Sequence, residues 1–215
     1  MKDVRALDQI YDSVKNQIMT KAIFPGSRIV EDDLAKEANV SRAAVRNVMN
    51  TLQSEGFVRI VPNKGAFVVK PTYDDVLKIY QTRCSLEVGI AAFAVNNITE
   101  DSIARLEENY AAQQALKNNF SIIEYVKLNK AFHWEIVLAA RNEYFAKYLN
   151  EIYNIVHIYI LFYDNEADNT KSLQAHKLIL DALKERNQNK LEDAFRMDNY
   201  NGIDDLGHTF GINIT

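Results

Sequence analysis

The chain has 215 residues, enough for two domains, with 25 Lys+Arg against 29 Asp+Glu and a formal net charge of −4. Its single cysteine, Cys84, excludes both an intrachain disulfide and a thiolate zinc cluster. The charge is unevenly spread: residues 1–70 carry 11 Lys+Arg against 8 Asp+Glu, net +3, and residues 71–215 carry 14 against 21, net −7.

The charged start, Met1-Lys2-Asp3-Val4-Arg5, opens an amphipathic helix instead of a signal peptide. That helix places Leu7, Ile10, Tyr11, Val14 and Ile18 on one face and stops before Pro25-Gly26. Leu34 to Ala38 forms a short helix, and Asn39-Val40 makes a turn. Ser41 caps a second helix running to about Glu55, because its hydroxyl can accept from a free backbone N–H of the first turn. Val45, Val48, Met49 and Leu52 fall at i, i+3, i+4 and i+7 and make its buried stripe. The opposite face holds Arg42, Ala43, Arg46, Asn47 and Asn50, and no acid. Beyond Gly56, Phe57–Val61 and Ala66–Val69 are β-rich runs joined by Pro62-Asn63-Lys64-Gly65, a hairpin with a basic tip. A helix exposing Arg and Asn beside such a wing is shaped to lie in a DNA groove. Residues 1–70 therefore read as a winged helix-turn-helix, with Arg28, Ser41, Arg42, Ala43, Arg46, Asn50, Lys64 and Gly65 as its DNA-facing candidates.

Residues 71–73 read as a linker, and none of the three prolines lies beyond Pro71, so 74–215 is expected to be all-helical. Six helices are expected, at about 74–96, 99–117, 121–140, 142–164, 169–186 and 188–206, with a break from Asn165 to Asn169. Thr99 and Ser121 are N-caps, and Glu124 completes a capping box with Ser121. The 142–164 helix is apolar on nearly all sides, which places it in the middle of a bundle or at a dimer contact. Its most apolar part, Ile155 to Phe162, is too short to span a bilayer, and a cytoplasmic protein is expected.

Several polar residues sit on stripes that should face inward. Asn129 and His133 stack one turn apart, His176 lies among Leu173, Leu180 and Leu183, and Asp198 follows Leu191, Ala194 and Phe195. Arg83 lies between Ile79 and Leu86, with Glu87 one turn on. Buried Asp, Arg and His are costly unless paired or coordinated, so these faces imply a shared cavity. A dry bundle in which His133 and His176 hydrogen-bond to Asn129 and Asp198 fits the same residues. So does an Arg83–Glu87 salt bridge that closes on itself.

Phe24-Pro25-Gly26-Ser27, Val40-Ser41-Arg42-Ala43-Ala44-Val45-Arg46 and Pro62-Asn63-Lys64-Gly65-Ala66-Phe67-Val68 together resemble the GntR family of bacterial transcription regulators. One departure is that Asp32 and Asp33 sit where many relatives carry a basic residue, which removes the basis for a phosphate contact there. The second domain resembles the FCD-type ligand-binding domain of the FadR-like branch, and six helices point to its shorter, VanR-like subgroup. The resemblance implies a homodimer on a pseudo-palindromic DNA operator, controlled by a small carboxylate effector. It also implies a metal held by one acid and three histidines, at positions that here are Asn129, His133, His176 and Asp198. Asn129 replaces the aspartate and Asp198 the third histidine, leaving a set suited to a divalent ion such as zinc, nickel or manganese. Arg83 and Glu87 become the effector-binding candidates. Two rivals are a metal-dependent hydrolase using the same cavity and a DNA-binding protein with no ligand. Against the enzyme, the chain carries no nucleophile elbow, phosphate loop or HExxH motif.

Overall fold

A computed structural model describes residues 2–163 and 169–210, with the side chains of residues 2–4, 208 and 209 left out. The chain divides into two compact units, one ending at Pro71 and one beginning at Thr72.

The first unit holds α1 (Lys2–Met19), β1 (Arg28–Ile29), α2 (Glu31–Ala38), α3 (Arg42–Ser54), β2 (Val58–Val61) and β3 (Gly65–Val68). Ile10, Val14 and Ile18 of α1 are buried, as are Val45, Val48, Met49 and Leu52 of α3. Asn39 adopts a left-handed conformation (φ 53°) at the end of α2 and turns the chain. Ser41 then starts α3, its Oγ accepting from the Ala44 amide at 3.2 Å. At the wing tip the Lys64 amide bonds the Val61 carbonyl at 3.0 Å, with Pro62 second and Asn63 third at φ 62°. A Pro followed by a positive-φ residue is the sequence of a type II turn.

The short strand β1 has no counterpart in the sequence reading. It adds to β3, giving an antiparallel sheet of order β1-β3-β2 with Arg28 opposite Phe67 and Val58 opposite Val68. Two residues are too few to show a period of two, so nothing in the pattern signals it. What holds it is the Gly26 turn: the Gly26 amide donates to the Val68 carbonyl and the Val68 amide to the Ser27 carbonyl, each at 2.9 Å.

The second unit holds α4 (Tyr73–Asn97), α5 (Glu100–Ala115), α6 (Ile122–Ala139), α7 (Glu143–Tyr163), α8 (Thr170–Lys184) and α9 (Gln188–Thr209), with a 3-10 turn at Leu116–Asn118. The expected linker is shorter than 71–73. Thr72 caps α4 through a reciprocal capping box with Asp75, so Tyr73 is already helical. The box expected at Ser121 forms only halfway: Ser121 accepts from the Glu124 amide, but the Glu124 carboxylate takes a bond from Lys127. Of the break expected at Asn165 to Asn169, all but Asn169 lies outside the described residues, as does the last residue of the 142–164 helix.

Helix α7 is buried from Ile152 to Leu161 except at Ile155, which is half-buried, while Tyr148 is exposed. Ala91, Ala94, Phe132, Ile136, Ile179, Leu183 and Phe195 join α4, α6, α8 and α9 in one apolar cluster. Helices α4 and α9 touch closely at Gly202, where an added Cβ would lie 2.4 Å from Cε1 of the buried Tyr80. Gly202→Ala is therefore expected to lower stability by about 1–3 kcal/mol, the usual cost of overpacking. A urea titration that finds no loss would mean this crossing is looser than described.

Candidate functional site

The first unit brings its basic candidates to one cleft. Arg28, Arg42, Arg46, Lys64 and Gly65 line a depression of about 280 Å³ together with Asn63 and the acids Glu31 and Asp32. Ala43 and Asn50 are exposed on α3, and Ser41 serves as its cap. Gly65 (φ 96°) lies at the wing tip beside Arg28, whose Nε is 3.5 Å from where its Cβ would be. One expectation needs correction. The exposed face of α3 carries no acid of its own, but Asp32 of α2 reaches it and accepts from Arg42 Nη2 at 2.6 Å, with Arg42 Nε on its other oxygen.

The second unit buries a polar cluster where α4, α6, α7, α8 and α9 converge. Glu87, fully buried, is its hub. It accepts from Arg83 Nε at 3.1 Å, Tyr153 Oη at 2.8 Å and Asn199 Nδ2 at 2.6 Å, and lies 3.2 Å from His133 Nδ1. Burial alone would raise this carboxyl, but the Arg83 guanidinium and the bonds from His133 and Asn199 hold it down at about 2. Arg83 Nη2 also donates to Asp198 Oδ2 at 2.7 Å and sits 3.0 Å from His133 Nε2. Burial, with Glu87 close by, raises the Tyr153 phenol well above its usual range and keeps it a neutral donor.

The ring nitrogens can be assigned from their partners. Gln113 donates through Nε2 to Asn109 at 2.7 Å, so its Oε1 accepts from His176 Nδ1 at 2.8 Å. That leaves the His176 Nε2 lone pair facing inward. Burial, with His133 and Arg83 nearby, pushes this imidazole well below the usual histidine range. His133 turns Nδ1 to Glu87, and its Nε2 faces Arg83 Nη2 at 3.0 Å. The two Nε2 atoms are 3.1 Å apart. Asp198 Oδ1 lies 3.7 Å from His176 Nε2, and one donor atom from each of His133, His176 and Asp198 falls within 4.8 Å of the others.

Two imidazole nitrogens beside a carboxylate are a donor set for a cation, and carboxylate or amide partners on the far ring nitrogens are what orient ligating histidines. Of the four expected ligands, His133, His176 and Asp198 fit. Asn129 lines the adjoining space with Arg83 and Asp198, its amide nitrogen donating to Tyr125 Oη at 3.3 Å. The expected shared cavity is also smaller than the stripes imply. Most of the polar groups satisfy one another, Asn199 Oδ1 being an exception, and the space bounded by Tyr80, Arg83, Asn129 and Asp198 is about 30 Å³, room for roughly one water. Sequence reasoning missed Tyr153, Asn199 and Gln113. Gln113 carries a usable signal, seven residues after Leu106 on the buried stripe of α5.

Comparison with known proteins agrees with both units. Residues 6–68 match the model of bacterial regulatory proteins of the gntR family, and residues 78–198 match that of the FCD domain. The HTH-type transcriptional regulator YdhC of Bacillus subtilis (strain 168) is 28% identical over 182 residues, 84% of this chain and 81% of that protein. The Nta operon transcriptional regulator of Aminobacter aminovorans is 32% identical over 128 residues, 60% of each chain. Among solved structures, E. coli McbR/YncC superposes with a TM-score of 0.79 at 19% identity, covering 95% of this chain and 98% of that one, and so shares the fold. These families are transcription regulators rather than enzymes, and no helix among the described residues is long and apolar enough to cross a membrane. The chain belongs to the GntR family of bacterial transcription regulators, with a winged helix-turn-helix followed by an FCD domain.

Proposed function

We propose that this regulator binds a pseudo-palindromic operator as a homodimer, and that a small carboxylate sets its operator affinity from the buried cluster, held there with a divalent metal. The observation that carries the sensing part is charge. Arg83 faces two carboxylates, Glu87 and Asp198, so these three groups are one negative charge in excess in a buried setting. A divalent ion reverses that excess to one positive charge, and one carboxylate then neutralises it. Zinc, nickel and manganese suit two imidazoles and a carboxylate, and such an ion, when bound, supplies Lewis acidity toward an effector oxygen.

The protein's own residues do the rest. Gln113 and Glu87 hold the two rings in the tautomers that present Nε2. Arg83 now spends its Nη2 on Asp198 and His133, so metal and effector must take those contacts over. Once released from Asp198, the guanidinium offers a planar fork that matches a carboxylate with two parallel bonds. Asn129, at the edge of the small cavity, adds an uncharged amide. Because the cavity holds no more than a water, effector entry requires the Arg83–Asp198 pair to part. That movement is passed to the DNA-binding unit through the Pro71–Thr72 junction.

The test begins with metal-stripped protein incubated with zinc, nickel or manganese and desalted. Wild type is expected to retain a single ion per chain and His133→Ala none. Small organic acids should then raise the thermal midpoint of the loaded wild type but not of Arg83→Lys, which keeps the charge and loses the fork. No retained metal, with no difference between wild type and His133→Ala, would remove the ion from the account. Acids that stabilise Arg83→Lys as well as wild type would remove Arg83 from the effector site.

A further inference from the structure

We infer that Asp32 is a specificity-determining positioning residue, which holds Arg42 in the orientation that reads guanine. This rests on the reading of α3 as the recognition helix. The ion pair joins two elements across the helix-turn-helix turn, with Arg42 Nη2 donating to Asp32 Oδ2 at 2.6 Å and Arg42 Nε facing Oδ1. Both contacts lie on one edge of the guanidinium, the Nε/Nη2 side. The opposite edge, where Nη1 and Nη2 project a parallel pair of N–H groups, is left for another acceptor pair. Guanine presents such a pair, O6 and N7, in the major groove.

A structural role alone accounts poorly for this arrangement. The Arg42 side chain is 76% exposed and that of Asp32 41%. An ion pair so exposed contributes almost nothing to stability, being screened by water and salt. An acid on the wall of a cleft lined by Arg28, Arg42, Arg46 and Lys64 also opposes binding to a polyanion. Placing Asp32 there lowers general affinity for DNA. What it supplies in return is order: a long, flexible side chain is held in one pose before the duplex arrives, and Arg42 is kept from swinging to a phosphate. Asp32 therefore raises discrimination at the expense of general affinity for DNA. Its own carboxylate, an acceptor without donors, repels the guanine edge and the backbone alike, so it works through Arg42.

The experiment uses the full chain. Operators are selected from random duplexes with wild type, and the guanine read by Arg42 is identified as the position whose preference Arg42→Ala loses. Wild type, Asp32→Ala, Asp32→Glu, Arg42→Ala and the Asp32→Ala/Arg42→Ala double variant are then compared by fluorescence anisotropy. Each is measured on the selected operator, on the operator with that guanine replaced, and on unrelated duplex. Asp32→Ala is expected to bind unrelated DNA more tightly than wild type, with a steeper salt dependence as Arg42 gains a phosphate. Its preference for the guanine should fall by about tenfold per half-site, within the worth of one bidentate contact. In the Arg42→Ala background the Asp32 substitution should have no further effect on that preference, and Asp32→Glu should restore part of it. Tight binding to unrelated DNA also shows that the variant is folded. Unchanged discrimination in Asp32→Ala, or a loss of equal size without Arg42, overturns the proposal. If Arg42→Ala itself loses no base preference, the recognition reading of α3 fails first and the role of Asp32 with it.

Discussion

Glu87→Ala is expected to destabilise the FCD unit by about 3–5 kcal/mol, the usual cost of removing one partner from a buried ion pair. The side chain is fully buried and satisfies Arg83, Tyr153 and Asn199, with His133 Nδ1 also in contact. Truncation leaves a buried guanidinium with Asp198 as its sole acidic partner among these residues, takes the acceptor from the Tyr153 phenol, and leaves the Asn199 amide with the Phe195 carbonyl. Trp134 is the one tryptophan of the chain and lies in α6, so its fluorescence reports on this unit alone. A urea titration followed at that tryptophan should show the midpoint falling sharply, with Glu87→Gln in between because its amide oxygen still accepts. A loss below about 1 kcal/mol, the scale of an exposed ion pair, would show that water reaches the cluster and that its charges are not held in a dry interior.

Arg46→Ala is expected to abolish specific operator binding while leaving the fold intact. Arg46 lies one turn beyond Arg42 on the exposed face of α3 and lines the same cleft. The buried face of that helix, Val45, Val48, Met49 and Leu52, is untouched by the change. A bidentate contact to guanine is worth roughly 1–3 kcal/mol at each recognition helix, and in the proposed dimer the effect is felt at both half-sites. Residual binding should be salt-sensitive and indifferent to sequence. Wild-type affinity and preference in this variant would place base recognition elsewhere on the unit.

The legible parts of this protein are those whose signal is local. The Ser41 cap and the apolar stripe of α3 are written within about a dozen residues, and so is the wing. Strand β1 is not legible, because its two residues are extended by the sheet and not by their own pattern. In the helical unit, His133, His176 and Asp198 stand out as polar residues on apolar stripes, and the helices bring the three together. Asn129 lies on the same stripe as His133, and its amide nitrogen donates to Tyr125 of the preceding turn. Periodicity tells which side of a helix faces inward, but not which neighbour waits there. Tyr153 reads as apolar bulk on a helix buried on most sides, and only its contact with Glu87 reveals the hydroxyl as part of the cluster. The open cavity inferred from converging polar faces is mostly absent for a related reason. Arg83, Glu87 and Asp198 have complementary charges and close on one another. The same holds in the DNA-binding unit, where Asp32 is visible as a departure from the family pattern but its bond to Arg42, across the turn, is not.

The central claim is that one chain couples an operator-binding face to a buried carboxylate-sensing cluster. It is tested most directly by anisotropy of a labelled operator, selected from random duplexes and held in complex with zinc-, nickel- or manganese-loaded protein, during titration with small organic acids. The account predicts that at least one acid changes operator affinity by about 5–150-fold, the usual range of coupling between two sites. It also predicts that the response disappears in His133→Ala and Arg83→Lys, although both still bind the operator. Operator affinity that no acid alters, or a response that survives both substitutions, would contradict it.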